Sequence, residues 1–170
     1  MEFTDGVLRL RAVEPQDAGC LRLWINDPET ARYLNMSWPV STQEQQDWYE
    51  RLRKDGNRKK LVIESIEGEA IGLLSLMQID HVNRSVEIGI TIGAASQRRK
   101  GHALRALRLA EHVLFVEFNF HRIWAEILES NEPCLNLFKQ ASFEREGVLR
   151  ESVYWNGRLI GKVIMARLRT

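Results

Sequence analysis

The sequence changes its hydrophobic period near residue 93, and this change constrains the fold more than any other feature. Between Lys60 and Ile92, three runs rich in apolar and β-branched residues are separated by short turns, which predicts consecutive antiparallel strands. From Gly101 to Phe118, apolar residues recur at helical spacing and predict an amphipathic helix. Antiparallel strands followed by helices favour an α+β fold with a mixed, mainly antiparallel central sheet.

Further elements are expected on both sides of this switch. They are a strand at 7–12, helices at 15–26 and 42–54, a strand at 122–128, a helix at 132–140, and hairpin strands at 143–154 and 158–168. Asn156-Gly157 supplies the hairpin turn. We therefore expect about seven strands and about four helices. They form a single domain over residues 7–168.

Composition limits the class of protein without identifying it. The chain has 170 residues, 44% hydrophobic and 28% charged, which is typical of one globular domain. Its 24 Lys and Arg residues nearly balance 23 Asp and Glu residues, so charge gives no argument for a nucleic-acid or membrane partner. No signal peptide is visible, and Cys20 and Cys134 indicate free thiols in a reducing cytoplasm. The histidines lack metal-ligand spacing, so we expect no metal.

The segment that carries chemistry joins the last of the three strands to the long helix. The basic run Arg98-Arg99-Lys100 is followed by Gly101 and His102, where the helix starts. Free N–H groups at a helix N-terminus, a glycine and nearby cations predict a site for phosphate or pyrophosphate. A solvated basic loop is the alternative. The spacing fits neither a Walker A loop nor a dinucleotide-binding glycine fingerprint.

Two motifs resemble those of the Gcn5-related N-acetyltransferase (GNAT) superfamily. Arg98-x-x-Gly101-x-Ala103 resembles the family's Gln/Arg-x-x-Gly-x-Gly/Ala loop, and Asn131-x-x-Cys134 resembles its Asn-x-x-Ser. The resemblance implies an α/β/α fold, acetyl-CoA as co-substrate, and direct transfer of acetyl to a primary amine in a ternary complex.

The resemblance extends toward the C-terminus, with departures. Residues 137–143 resemble the family's Leu-Tyr-x-Lys-x-Gly-Phe, and residues 146–150 resemble the subgroup of ribosomal-protein N-terminal and spermidine acetyltransferases. Arg99 stands where many members have glycine, and Phe138 where many have tyrosine.

The family resemblance also implies how the coenzyme is held. Members bind the acetyl carbonyl and pantetheine through main-chain N–H groups of the strand before the loop. The implied coenzyme contacts are Ile90, Thr91 and Ile92 in that strand, Arg98, Arg99, Lys100, Gly101, His102 and Ala103 in the loop and helix start, and Asn131 and Phe138 further along.

Glu87 and Glu126 are the candidates for the general base. Each interrupts an apolar strand that we place at the centre of the sheet, where burial would raise a carboxyl pKa toward the range useful for base catalysis. Glu87 is favoured, because it precedes the acetyl-binding positions and alternation puts it on one face with Gly89. A structural glutamate is the alternative for each, and water could relay the proton.

Cys134 is the candidate for protonating the departing thiolate. The family's tyrosine is often assigned this step, and Phe138 cannot donate a proton. A thiol near Asn131 could replace it in part. The alternatives are a small buried helix residue for Cys134 and an N-cap for Asn131.

The acceptor stays open between a peptide or protein N-terminus, a polyamine and an amino sugar. In the family, the region corresponding to 33–40 closes over the acceptor, so Tyr33 and Trp38 are expected to line the amine pocket. A polyamine would want an acidic pocket. Candidates for it are Glu29, Glu44, Asp47 and Glu50, although an exposed acidic face is the interpretation we prefer. A catalytically idle acyl-CoA sensor is a rival function, and a homodimer is a further option.

Overall fold

One mixed sheet of eight strands organises residues 2–34 and 38–170, which a computed structural model describes. The strands are β1 Glu2–Thr4, β2 Leu8–Ala12, β3 Lys59–Ser65, β4 Ala70–Asp80, β5 Ser85–Ile92, β6 Arg122–Leu128, β7 Glu144–Trp155 and β8 Arg158–Leu168. The helices are α1 Ala18–Asn26, α2 Pro28–Leu34, α3 Thr42–Lys54, α4 His102–His112 and α5 Glu132–Gln140. Across the sheet the order is β1-β2-β3-β4-β5-β6-β8-β7. The β5–β6 pair is parallel and the other neighbouring pairs are antiparallel.

This architecture confirms the α+β prediction and adds two elements to it. The first strand pairs with β2 through Phe3 and Leu10, and its three residues are too short to show a period. It lies before Val7, and the domain limits 7–168 stay a prediction. The second added element is α2. Pro28 ends α1 as expected, but it also opens α2, because the fixed φ of proline suits the first helical position.

The long helix predicted over 101–118 changes its winding. The α-helix ends at His112, and Val113–Glu117 form a π-helical turn. Wider winding rotates the next residue around the helix axis, so Phe118 leaves the apolar face and is 53% exposed. Its ring packs edge-on against Phe3 at a centroid distance of 6.0 Å.

The central strands have two different faces. The closed face is the one that α4 and α5 cover, and its central side chains Leu74, Ile88 and Ile123 are at most 1% exposed. Alternate residues form the open face, against which α1 and α3 pack around Val62 and Leu73. Over β5 and β6 this face is only half-buried, and we call this less covered strip of the open face the groove. Within the described residues, no helix has the length and hydrophobicity needed to cross a membrane.

Candidate active site

The main-chain ladder between β5 and β6 is short. Parallel pairing ends where Glu87 meets Trp124, although both strands continue. Beyond that point, the described residues contain no further β5–β6 pair, so a gap opens in the middle of the sheet. Exposure follows the gap: Val86 and Ile88 are 0% and 1% exposed, whereas Ile90, on the same face, is half-buried.

Main-chain N–H groups of β5 point into this gap. Gly93 N–H donates to the Ile71 carbonyl at 3.0 Å, on the β4 side. Because donors alternate along an antiparallel pair, the groups of Thr91 also face β4, and those of Ile90 and Ile92 face the gap. Of the three strand residues expected to hold the acetyl carbonyl and pantetheine by main-chain N–H groups, the geometry leaves Ile90 and Ile92 as donors.

The loop after β5 presents a second set of N–H groups. Gly101 is the N-cap of α4 with φ of 82° and makes no side-chain cap, so the first-turn N–H groups of His102 and Ala103 are free for an anion. Arg99 also has a positive φ of 60°, and its side chain and that of Lys100 are exposed beside this turn. Helix-end N–H groups with two cations fit the pyrophosphate of a coenzyme. Among the described residues, no cluster of His, Cys, Asp or Glu could hold a metal.

Arg98 has a different role from the one its motif position implies. Its guanidinium donates to Asp27 at 2.7 Å and Glu29 at 2.8 Å, both at the start of α2. It also donates to the carbonyls of Ile92 and Gly93, each at 3.1 Å. The ion pair lowers the pKa of Asp27, first through the hydrogen bond from Arg98. The side-chain charge expected at the phosphate is therefore used to brace α2 against the end of β5, which corrects that part of the prediction.

The two candidate bases lie on adjacent central strands and on the open face. Glu87 shares this face with Gly89, as alternation predicts. A Cβ at Gly89 would contact its cross-strand partner Ser75 and also Met77, which is the cross-strand partner of Glu87. The Gln78 side chain donates to Glu87 at 3.0 Å. Burial raises the pKa of Glu87, and the nearby Glu126 carboxylate adds to the rise.

Glu126 is balanced by a cation that the sequence analysis missed. Lys162 on β8 donates to Glu126 at 2.7 Å, and the two side chains are 33% and 22% exposed. Lys60 on β3 was missed as well; its ammonium donates to Ser75 Oγ at 2.6 Å on the same open face. The alternation of side-chain direction along the strands could have identified both lysines, because each occupies a position on the face that carries Glu87.

The residues taken from the family's α5 motif separate into a cap and a core. Asn131 accepts from the Cys134 N–H at 3.2 Å, so the predicted N-cap alternative is confirmed. Cys134 is half-buried, and burial raises its pKa to about 12, which keeps it a protonated thiol. Phe138 is 1% exposed and packs edge-on against Phe143 at 4.8 Å. Its side chain belongs to the core, which corrects its assignment as a coenzyme contact.

The expected acceptor residues lie around α2. Tyr33 is half-buried, and the Arg32 guanidinium lies 4.7 Å from the centre of its ring. Trp38 is 84% exposed. Residues 35–37 of the predicted closing segment lie outside the described residues. The Trp155 indole N–H donates to the Arg32 carbonyl at 2.6 Å, which ties α2 to the β7–β8 hairpin.

The four acidic residues considered for a polyamine pocket are engaged elsewhere. Glu29 pairs with Arg98. Glu44 caps α3 together with Ser41, and a Gln43 side chain donates to Asp47. Glu50 pairs with Arg53 at 3.2 Å on the exposed side of α3. The preferred interpretation, an exposed acidic face, agrees with this arrangement.

Comparisons with known proteins identify the family of this chain. Residues 8–144 match the model of the acetyltransferase (GNAT) domain family. The chain is 29% identical to the uncharacterized N-acetyltransferase p20 of Bacillus licheniformis, over 95% of this chain and 93% of that protein. It is 28% identical to spermidine N(1)-acetyltransferase of Escherichia coli K12, over 89% and 80% of the two chains.

A solved structure of a related enzyme has the same fold as this chain. Spermidine N-acetyltransferase from Vibrio cholerae, in complex with CoA and spermine, superposes with a TM-score of 0.89 at 27% identity, over 96% of each chain. The same Vibrio protein has a structure described as dodecameric. The chain therefore belongs to the GNAT acetyltransferase family, and it is an N-acetyltransferase that takes acetyl from acetyl-CoA to an amine.

Proposed function

We propose that acetyl transfer takes place at the mouth of the β5–β6 gap, by direct attack of an acceptor amine that lies on the open face. The observation that carries this proposal is the position of Ile90. Its N–H points into the gap and lies three residues after Glu87 along β5. The N–H groups at the start of α4 follow further along the chain, past the end of this strand. A donor there suits the acetyl oxygen, where negative charge develops during attack.

Side chains of this protein can take up and supply the protons that acetyl transfer requires. The amine forms a bond to the acetyl carbon while the carbon–sulfur bond breaks. We propose that Glu87 receives the amine proton, directly or through one water, since its raised pKa makes it a better base than an ordinary glutamate. Glu126 is less suited, because Lys162 already compensates its charge at 2.7 Å.

The departing thiolate needs a proton, and Cys134 is the proposed donor. A cysteine thiol is already protonated at neutral pH, and burial raises the pKa of Cys134 to about 12, so Cys134 is a weak acid that must regain its proton from solvent after each transfer. Position supports the assignment too: Cys134 follows the Asn131 cap at the start of α5, in the place of the family's serine. Packing alone is the alternative role, since the side chain also contacts the core.

The acceptor's identity, the roles of Tyr33 and Trp38, assembly as a homodimer and location in the cytoplasm stay predictions. The relatives named for spermidine suggest a polyamine, and the family resemblance adds peptide N-termini and amino sugars.

The experiment that tests the proposed function measures thiol release from acetyl-CoA with a panel of primary amines, next to calorimetric titration of acetyl-CoA. Amine-dependent thiol release is the expected result. Acetyl-CoA binding with no release on any amine would instead identify an idle sensor.

A further inference from the structure

The floor of the groove carries both signs of charge. We define the groove floor as a subset of the half-buried, open-face residues at the centre of the sheet, namely the charged residues with Ser75 and Gly89 between them: Lys60, Ser75, Glu87, Gly89, Glu126 and Lys162. Its two carboxylates are matched by two ammonium groups. A floor that selected a polycation would need an excess of carboxylates, because like charges repel at this distance.

Lys60 reaches the part of the floor next to the acetyl site. Lys60, Ser75 and Gly89 are cross-strand neighbours in one row over β3, β4 and β5. The ammonium donates to Ser75 Oγ at 2.6 Å, so the side chain extends along this row toward β5. Gly89 has no side chain to fill the next position, and it lies one residue before Ile90. The row thus ends at Gly89, where Cε of Met77 lies 3.6 Å from the position of a Cβ, beside the proposed acetyl site.

The Lys60 ammonium has no anionic partner in the described part of the chain. Lys162 has Glu126 at 2.7 Å, but no carboxylate lies within 4.0 Å of the Lys60 nitrogen. Burial, with Arg58 nearby, lowers the pKa of Lys60 to about 8, although the charge of Glu87, beyond contact distance, acts in the opposite direction. A half-buried ammonium that only a hydroxyl contacts would be stabilised by an anion from outside.

We infer that the acceptor is an amino acid-type molecule, whose primary amine is directed to Glu87 and whose carboxylate is held by Lys60 and Ser75. This inference rests on the proposed function and narrows its acceptor. Side chains at facing and diagonal positions of neighbouring strands are roughly 5–8 Å apart at their Cβ atoms. We expect a similar separation between the amine and the carboxylate of the acceptor. A polyamine places a second ammonium where the floor already has one.

The experiment compares acceptors that differ in one charge. At saturating acetyl-CoA, kcat/KM is measured for alanine, β-alanine and 4-aminobutyrate and for their carboxamides, with putrescine and spermidine alongside. For at least one chain length, the carboxylate is expected to exceed its carboxamide by roughly tenfold or more, the usual strength of a charge-assisted hydrogen bond. Polyamines are expected to be poorer than that carboxylate.

Variants assign the preference to Lys60. Lys60→Met keeps the stem and removes the charge, so the carboxylate-to-carboxamide ratio of kcat/KM should fall to about one, whatever the change in the absolute rates. Lys60→Arg should keep the preference, and Lys59→Met, at the exposed neighbouring position, should not change it. Thermal melts confirm that each variant is folded.

Three outcomes overturn the inference. Equal loss for acid and carboxamide in Lys60→Met would give Lys60 a merely structural role. Turnover confined to polyamines would leave the proposed transferase function standing while removing the amino acid-type acceptor. Failure of thiol release with every amine would overturn both.

Discussion

The same central strands build two faces with opposite properties. On the closed face, Leu74, Ile88 and Ile123 are at most 1% exposed and lie under α4 and α5. On the open face, the alternate positions hold Glu87 and Glu126, half-buried and charged. Side-chain direction reverses with every residue of a strand, so adjacent residues can serve packing and chemistry separately. The difference shows that odd or even position along a strand, more than residue type, decides whether a side chain of this sheet packs in the core or faces the proposed site.

The largest effect is expected on the closed face. Phe138→Ala should reduce the free energy of unfolding by roughly 3–5 kcal/mol, because it leaves a cavity in the core beside Phe143. Met77→Ala, a half-buried open-face substitution, should cost about 1 kcal/mol. Urea denaturation monitored by tryptophan fluorescence measures both. Equal losses of unfolding free energy in the two variants would contradict the view that the closed face contributes more to stability than the open face.

A pair of adjacent arginines makes a second comparison. Arg98→Gln removes the brace between α2 and β5, so we expect a lower melting temperature and a higher acceptor KM. Arg99→Gln should leave stability unchanged and weaken acetyl-CoA binding several-fold, because its side chain is exposed beside the helix start. Melting curves and calorimetry separate the two effects. Weaker coenzyme binding confined to Arg98→Gln would reverse the assignment.

The smallest effect concerns Cys134. Cys134→Ala should lower kcat about tenfold, less than the usual effect of a general acid, because a thiolate leaves readily without a proton. Cys134→Ser should keep most of the rate, since its hydroxyl can still donate. Pre-steady-state thiol release gives the measurement, with acetyl-CoA affinity as the control. An unchanged kcat in the alanine variant would assign Cys134 to packing.

Local patterns in the sequence predicted much of this molecule. The Asn156-Gly157 turn, the strand at Arg122–Leu128 and the helix at Glu132–Gln140 follow from short-range signals, and the structure has them. The basic loop before α4 was also visible, because its motif is contiguous.

Features that depend on distant residues were not predictable in the same way. The β5–β6 gap arises from where a parallel pair stops, and no local pattern encodes that point. Arg98 meets Asp27 and Glu29 from about seventy positions away, so its motif suggested a phosphate contact in place of a brace. Lys60 was predicted only as the first residue of a strand, and the register is what aligns it with Ser75 and Gly89.

The pH dependence of kcat/KM for wild type and Glu87→Gln tests the role of the open face most directly. Glu87 must be ionised to accept a proton, so activity should rise with pH through a pKa above the ordinary glutamate range. The Glu87→Gln variant should lose this limb and roughly a hundredfold in kcat/KM, whereas Glu126→Gln should keep the limb. An unchanged rate and pH profile in Glu87→Gln would contradict the account.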